Sequence, residues 1–559
     1  MRKLICCALL LLCFVAEGQS KIGETIEVSI VNVDVVVTDK AGKRVTGLTA
    51  DDFEIREGGK VQPISNFAEY RSDLSGGVTA IETVPGAATP AVTTVARPKR
   101  NVIVFVESVR LLPHQAREMY GSIRTLLRET IAKGDRATVI TWTNAVLVRQ
   151  PFTDDLASLE RVVNELEIEA VNGPRDVSRD IRRDQGRSDA AEDEMAASLA
   201  AGGVASASGG MPPVHALEAA KRQLAQIKQK THVLEALMHS ISGLDGRKVI
   251  VMAMRRFGVF AGAEYFNGEM PVERRREFET APLHDRLVKT ANAHGITLYP
   301  VFPVGLRWDP EDSSYGPDLG SLNSDNDLLQ GALQGKIMFN ETNALADLAE
   351  KTGGLMAWGS KNIADMLPRV VDDLEAYYSL AYRARTSGKD VSRDIAVRAK
   401  NSDYRVRSRK QFVEKSDATL MNDRVIANLY QTLDGTSFAF DVVGGEMKST
   451  GRNRWALPLK VRIPIAALTT LPSGAVEVGE FSVYVVTGAV VGVSSEVQHK
   501  TQSFRIPRND LAKAKASYYT YEVTLNIDQK TDRLSVGVID ETSKEFALKR
   551  LTLPPRPEK

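Results

Sequence analysis

Seven histidines are the side chains of this sequence best suited to binding a metal or transferring protons. They are His114, His215, His232, His239, His284, His294 and His499. No two of them stand in the HExxH arrangement of a helical zinc site. His232 and His239 share one face of a predicted helix, but two helical turns separate them by ~10.5 Å. Because that distance is too long for one ion, we expect surface or core-edge histidines and no metal site.

Two groups of acidic residues resemble ligand or catalytic sites. Residues 309–327 hold six acidic side chains, and 323–327 have the spacing of the start of a calcium loop. Leu328, however, stands where the sharp turn of that loop requires glycine. Asp154 and Asp155 fall in the first turn of a predicted helix, where negative charge is favourable without catalysis. We therefore expect a solvated loop and a favourable helix end.

Motifs of the common enzyme classes are absent from the sequence. It has no GxSxG elbow, Walker A loop or GxGxxG fingerprint. The sequence therefore gives no motif evidence for acyl transfer, phosphoryl transfer or dinucleotide binding. No nucleophile–base pair is visible in it either. We expect a protein that is not an enzyme and that needs no cofactor.

The three cysteines, Cys6, Cys7 and Cys13, all fall at the beginning of the chain. Residues 1–18 have the form of a signal peptide, with a basic start, an apolar stretch at 4–15 and small residues before a cleavage site after Gly18. A permanent anchor and a lipid anchor are the alternatives. The prediction is an exported protein, periplasmic or extracellular, whose mature chain has no cysteine for disulfides or thiolate metal sites.

Composition excludes several classes of protein. The chain has 559 residues, enough for two or three domains, with 43% hydrophobic and 26% charged residues. A mean hydropathy of -0.18 excludes a polytopic membrane protein, and we expect no transmembrane span after signal cleavage. Lys and Arg number 72 against 71 Asp and Glu. The resulting charge of +1 provides no general field for attracting nucleic acid, so no nucleic-acid partner is expected.

Alternation of apolar and polar residues predicts a small β domain at 24–70. Residues 30–38 alternate and are rich in β-branched side chains, and Gly58 and Gly59 favour a hairpin turn. Residues 71–98, by contrast, are rich in Gly, Ala, Thr, Val and Pro with little periodicity. That composition predicts a linker.

Strands alternate with helices over most of the next 300 or so residues, which predicts an α/β domain at 99–412. Short apolar runs at 102–106, 137–141, 249–254 and 296–301 predict strands, and helical spacing predicts amphipathic helices between them. Such alternation favours a doubly wound, mostly parallel sheet with helices on both faces. Residues 172–213 interrupt the pattern with an Arg/Asp-rich and then Ala/Gly-rich stretch, which we interpret as an insertion.

The helical period disappears after residue 385. Apolar strands at short spacing predict a C-terminal β-sandwich at 420–556. The strands predicted between 393 and 412 would either join these sandwich strands or extend the α/β sheet, and we include them in the α/β domain.

Three stretches of the sequence resemble the acidobacterial von Willebrand factor A-related proteins. The first joins residues 33–39 and 47–60, the second is 150–155, and the third joins 348–354 and 377–382. They occur in the right order across about residues 24–412. The order of elements from 99 to 385 also resembles the von Willebrand A fold. The resemblance implies a von Willebrand A-like α/β domain flanked by the two β units.

In von Willebrand A domains, which the resemblance implies here, the ligand site is a metal-ion-dependent adhesion site. An Asp-x-Ser-x-Ser motif after the first strand, a later Thr and an Asp after the fourth strand hold Mg²⁺. Here Glu107 stands at the Asp position, while Val109 and Leu111 replace the two serines. Arg255 and Arg256 follow the later strand, where a carboxylate is needed. The resemblance therefore implies a degenerate site.

Cationic side chains repel a divalent ion, so we expect no metal at this degenerate site. Instead, the pattern predicts an ion pair between Glu107 and either Arg255 or Arg256. Ligands of open α/β sheets usually bind at the carboxyl ends of the strands. The possible ligand face is Glu107, Ser108, Arg110, Arg255 and Arg256.

The function favoured by the sequence is protein–protein binding or scaffolding outside the cytoplasm, with an unidentified protein partner. One alternative is an envelope hydrolase. Another is carbohydrate binding by the C-terminal sandwich through Tyr518, Tyr519 and Tyr521, although a strand must turn neighbouring rings to opposite faces.

Overall fold

The structure is a computed structural model of the chain. It describes residues 28–70, 78–82, 91–95, 100–108, 111, 113–132, 134–143, 146–172, 214–244, 246–263, 272–302, 325–358, 360–385, 389–430, 433, 436–489 and 494–554. The predicted signal peptide at 1–18 and the insertion beyond Asn172 lie outside these residues. None of the described helices is long and apolar enough to cross a membrane.

A first β-sandwich is built from strands on both sides of the α/β segment. Its strands are β1 (Val28–Thr38), β2 (Phe53–Glu57), β3 (Lys60–Gln62), β4 (Ile64–Tyr70), β13 (Tyr377–Arg385), β14 (Val391–Ala399), β15 (Arg405–Arg407) and β16 (Gln411–Glu414). They form two antiparallel sheets in the orders β15-β1-β13-β4 and β16-β14-β2-β3. Alternate residues of β1, among them Val31, Val33 and Val35, are fully buried in the shared core. The alternation in the sequence thus reflects one buried face.

This pairing differs from the predicted division of the chain. The strands after residue 376 fall within the predicted α/β domain at 99–412, but β13, β14 and β15 pair with strands of the 24–70 unit, and β16 pairs with β14. A local pattern shows which face of a strand is buried and does not show which distant strand lies beside it. Within the predicted linker at 71–98, β5 (Val78–Glu82) and β6 (Ala91–Val95) form an antiparallel pair.

A six-stranded, mostly parallel sheet forms the α/β unit. Its strands are β7 (Asn101–Glu107), β8 (Arg136–Trp142), β9 (Val146–Thr153), β10 (Lys248–Ala253), β11 (Ile296–Phe302) and β12 (Ala357–Trp358). The order is β12-β11-β10-β7-β8-β9, and the edge strand β9 is antiparallel. Every residue of β10 is buried, as expected for a strand covered on both faces.

Helices cover both faces of this sheet. They are α1 (Pro113–Ala132), α2 (Leu156–Asn172), α3 (Val214–Ser240), α4 (Val272–Phe278), α5 (Ala281–Ala293), α6 (Asp325–Thr352) and α7 (Ser360–Glu375). One apolar core packs α1, α2 and α7 against the sheet, and a second packs α3, α5 and α6 against the other face. Residues 325–327 of the acidic stretch predicted to be a loop are the first residues of α6. The rest of that stretch lies outside the described residues.

Two further sheets form the C-terminal β-sandwich. One contains β17 (Asp441–Gly444), β18 (Lys448–Gly451), β19 (Arg454–Pro464) and β23 (Tyr518–Asp528). The other contains β20 (Thr470–Ser473), β21 (Val476–Gly488), β22 (Gln498–Pro507), β24 (Arg533–Asp540) and β25 (Phe546–Thr552). Both sheets contribute to one apolar core.

Two helices occur where the sequence analysis found no helical period. Helix α8 (Asp417–Tyr430) packs Met421, Val425 and Leu429 on β21 and β24, outside the sandwich core. These residues do repeat every four positions, but one stripe between strands is a short signal. The other helix, α9 (Leu511–Lys515), is a single turn with no buried residue.

Candidate functional site

The predicted ligand face lies at the carboxyl ends of two neighbouring parallel strands. Glu107 is the last residue of β7, and Arg255 follows β10 by two positions. The two strands pair in register, with Val106 opposite Ala253. Parallel neighbours end at the same edge, so Glu107 and Arg255 lie close together.

An ion pair is present at Glu107, but its cation is Lys230 of α3. Lys230 Nζ lies 2.8 Å from Glu107 Oε1, and the two side chains are 4% and 12% exposed. Lys230 also donates a 2.6 Å hydrogen bond to the carbonyl of Arg255. The backbone N–H of Arg255 donates to Glu107 Oε2 at 2.8 Å. Arg255 therefore binds Glu107 through its backbone, and the prediction of a guanidinium partner is corrected.

The physical reason for this correction is that the Lys230 ammonium and the Arg255 N–H already contact the two carboxylate oxygens of Glu107. The backbone after β10 is also in an unusual conformation. Arg256 has a φ of 51°, in the left-handed region that most side chains avoid. Such a residue turns the chain sharply, and here the turn follows directly after the Arg255 N–H that faces Glu107. A conformation of this kind costs about 1 to 3 kcal/mol and is often found at functional sites.

Trp142 and Glu341 complete the surroundings of Lys230. The Lys230 ammonium lies 5.2 Å from the centre of the Trp142 ring, in a cation–π contact. Glu341 of α6 is only 3% exposed and interacts with the charges of Arg255 and Lys230. Burial raises the pKa of the Glu341 carboxyl, and the Arg255 guanidinium opposes this effect. Two acidic and at least two basic groups thus share the edge.

Sequence reasoning missed both Lys230 and Glu341, although each has a recognisable signal. Lys230 lies between Ile227 and Leu234 on the buried stripe of α3, at spacings of three and four. Glu341 precedes Leu345 by four residues on the buried stripe of α6. A charged residue in an apolar stripe is rarely buried without a partner, so such positions point to an internal ion pair.

Ser108 and Arg256 of the predicted face also lie at this edge of the sheet. The Ser108 N–H donates a 2.8 Å hydrogen bond to the carbonyl of Trp142 and extends the sheet edge. Arg256 is partly exposed and interacts with Glu341, whose carboxylate its backbone contacts. Arg110 lies outside the described residues. Leu111, one of the aliphatic replacements, is 5% exposed and packs in the core.

Two exposed aromatic rings lie near this edge. Phe260 follows β10 and is 36% exposed, while Phe339 on α6 is 68% exposed. The side chain of Asn340 joins the two segments, since it bonds both the N–H and the carbonyl of Phe260 at 2.9 and 2.8 Å. Exposed rings on a fixed backbone favour contact with another macromolecule.

A histidine cluster lies at the opposite end of the sheet. His239 Nδ1 and His294 Nε2 are 3.1 Å apart, and Lys415 Nζ lies 2.7 Å from His294 Nδ1. Asp423 of α8 accepts a 2.5 Å hydrogen bond from Lys415. Two histidines and a carboxylate resemble a metal site, but the ammonium already neutralises the carboxylate. We interpret the cluster as a link between α8 and the α/β unit; His232, earlier grouped with His239, is exposed.

The tyrosines considered for sugar binding are not equivalent. Tyr518 is 48% exposed, and the Arg462 guanidinium lies 4.8 Å from the centre of its ring. Tyr519 makes an edge contact with Phe481 in the sandwich core, and burial raises the pKa of Tyr521. The rings therefore do not form a single exposed platform.

Comparison with known proteins gives little further information. No protein-family model matches, and no curated protein matches. Among solved structures, similarity extends to proximal thread matrix protein 1 from the mussel byssus, with 9% identity over 49% of this chain and 48% of that one, and a TM-score of 0.22. The matched region thus spans about half of the mussel protein.

Two bacterial structures are similar over the same share of this chain. A conserved hypothetical protein, BatB from Bacteroides thetaiotaomicron, is 12% identical over 49% of this chain and 96% of that one, with a TM-score of 0.22. An aerotolerance-related membrane protein from Bacteroides fragilis is 11% identical over 49% and 98%, with a TM-score of 0.22. Likenesses this weak carry no argument about function.

Proposed function

We propose that this protein is an exported, non-enzymatic binding or scaffolding protein whose α/β unit is von Willebrand A-like and binds a protein partner without a metal ion. The observation that carries the proposal is the Lys230 ammonium, 2.8 Å from Glu107. In the family that the sequence resembles, the Asp at the position of Glu107 holds Mg²⁺. An ammonium in direct contact with the carboxylate neutralises the negative charge of that group and repels a divalent cation.

The exposed rings supply the surface on which such a partner would bind. Phe339 and Phe260 present apolar area beside a partly exposed charged edge. Aromatic residues that become buried carry much of the binding energy in protein interfaces, with charged groups at the rim. A partner with an apolar centre and a polar rim fits this arrangement.

The test uses the full mature chain, immobilised and exposed to envelope extract with Mg²⁺ or with chelator. We expect the same partner to be captured equally in both conditions. Phe339→Ser should reduce capture about tenfold, because loss of a central aromatic residue commonly costs about 1.4 kcal/mol or more. Val443→Ser is the matched control, since Val443 is 50% exposed on the C-terminal sandwich.

Two results would contradict the proposal. One is release of the partner by chelator, together with stoichiometric Mg²⁺ or Mn²⁺ uptake that Glu107→Ala abolishes. The other is equal loss of capture in Phe339→Ser and Val443→Ser, which would move the binding surface away from the α/β edge.

A further inference from the structure

A cavity of about 330 Å³ lies between the first sandwich and the amino-terminal ends of the parallel strands. The α/β unit contributes Arg247 and Ile296, next to the starts of β10 and β11. The sandwich contributes Asn32, Arg407 and Arg409. The cavity is therefore at the opposite end of the sheet from Glu107.

One buried carboxylate beside this cavity is already fully used. Asp373, with a side chain 2% exposed, receives two 2.6 Å hydrogen bonds from Arg407 and one of 2.8 Å from Arg44. Tyr299 also donates to it at 3.2 Å. The two carboxylate oxygens of Asp373 thus accept four hydrogen bonds, two of them from Arg407 and one from Arg44. No acceptor position remains for another guanidinium.

Arg247 and Arg409 line the cavity without a carboxylate at hydrogen-bond distance. The Arg247 side chain is 7% exposed, and its Nε has no hydrogen-bond partner among the described residues. The Asp34 carboxylate also lines the cavity, and its Oδ2 is 3.9 Å from Arg247 Nε. Arg247 Nη1 donates a 2.6 Å hydrogen bond to the backbone carbonyl of Asp373. Within the described ranges, Arg409 donates hydrogen bonds to the carbonyls of Asn32 and Asn292, at 2.5 and 3.3 Å.

The surroundings therefore contain more buried positive charge than negative charge. Burial lowers the pKa of Arg409 and of Arg44. For Arg247, burial is outweighed by the charges of Tyr299 and Asp34, and the pKa is raised. Nη1 of Arg44 also has no hydrogen-bond partner among the described residues. Keeping an uncompensated guanidinium away from water is costly, and a bound anion would remove that cost.

We propose that this cavity binds the carboxylate or phosphate group of a small anionic molecule, with Arg247 and Arg409 as the hydrogen-bond donors. Both guanidinium groups suit planar, bidentate recognition of such groups. The volume lies at the lower end of the range for small-molecule sites, which favours a compact ligand. This inference goes beyond the proposed function and does not rest on it.

The tyrosine wall of the cavity adds a second recognition element. Tyr70 and Tyr377 stack with ring centres 4.7 Å apart, and the Arg247 guanidinium lies 4.8 Å from the centre of the Tyr377 ring. The stack holds Arg247 in place and offers apolar surface beside the proposed anion site. A ligand with a small apolar body and one anionic group fits both features.

Calorimetric titration of the full mature chain tests the proposal, with inorganic phosphate and succinate as separate probes and chloride at equal ionic strength as the blank. We expect saturable, one-to-one binding of at least one probe, and the better probe identifies the anionic group. Arg409→Gln should weaken binding at least about tenfold, the loss expected for one charge-assisted hydrogen bond. Arg405→Gln, at an exposed position on β15, should leave the affinity unchanged.

Ser379→Leu tests the cavity without removing a charge, because Ser379 lines it and a larger side chain would fill it. We expect this variant to lose binding as well, which keeps the test valid if Arg409→Gln fails to fold. Absence of saturable heat with either probe would overturn the proposal. Unchanged affinity in a folded Arg409→Gln or Ser379→Leu variant would overturn it equally.

Discussion

The charged side chains at the two ends of the parallel sheet have different partners. At the carboxyl end, Glu107 is matched by Lys230 in direct contact, and Trp142 covers the ammonium. At the amino-terminal end, Arg247 and Arg409 line a cavity in which the Asp34 carboxylate is 3.9 Å from Arg247, beyond hydrogen-bond distance. Ligands of open α/β sheets usually bind at the carboxyl end, but here the arginine-lined cavity lies at the other end.

The difference follows from how each end is built. The carboxyl end is formed by elements of the α/β unit itself, α3 and the ends of β7 and β10, so Glu107 and Lys230 pair within one unit. The amino-terminal end is an interface between that unit and the first sandwich, and each side contributes arginines. An interface between units is thus the place where a small ligand would influence how they are held together.

We expect Asp373→Asn, at the amino-terminal end of the sheet, to cause the largest loss of stability. The substitution leaves the Arg44 and Arg407 guanidinium groups without their shared carboxylate, so we expect a loss of about 3 to 5 kcal/mol in the free energy of unfolding. Urea denaturation measures it. Asp372→Asn, at the exposed neighbouring position, is the control and should change stability by less than about 0.5 kcal/mol. Equal effects would show that the arginines do not depend on Asp373.

A smaller loss is expected at the carboxyl end from Lys230→Met. Glu107 would remain largely buried with only the Arg255 N–H as partner, which should cost about 2 to 3 kcal/mol in the free energy of unfolding. The double variant with Glu107→Gln should recover most of this loss, since it removes the unpaired charge. If the double variant is no more stable than Lys230→Met, the ion pair is not what matches the charges at this end.

The smallest expected effect is a pH dependence of stability that arises from His294 at the amino-terminal end of the sheet. Burial lowers the pKa of His294, and Lys415 lowers it further, although Asp423 opposes both. The unfolded chain therefore takes up a proton at this histidine more readily than the folded protein. Stability should fall as pH drops below about 6.5, by at most about 1.4 kcal/mol per pH unit.

Urea denaturation at pH 7 and pH 5.5 measures this slope. It should become shallower in His294→Gln, while His232→Gln, at an exposed position on α3, should keep the wild-type slope. Asp423 does not contribute in this range, because contacts with His294 and Lys415 outweigh its burial and hold its pKa at about 2. An unchanged slope in His294→Gln would assign the acid sensitivity to another group.

The alternation of strands and helices between residues 101 and 375 was predictable from the sequence because each element carries its own period. The meeting of Glu107 and Arg255 was also predictable, since parallel strands share an edge. The ion pair at that edge was not predictable, because its cation, Lys230, lies in the apolar stripe of α3, far along the chain from Glu107. The arginine cavity was equally inaccessible, since it depends on β13 and β15 returning to β1.

The pairing of β1 with β13 has a consequence for the order of events during synthesis. Val28 finds its partner Arg385, and Val35 finds Tyr378, only after the whole α/β unit has been made. Contacts between such distant segments form slowly, and an unpaired strand in a nascent chain is prone to aggregate. We therefore expect β1 to remain without its β13 partner until residues 378–385 have left the ribosome.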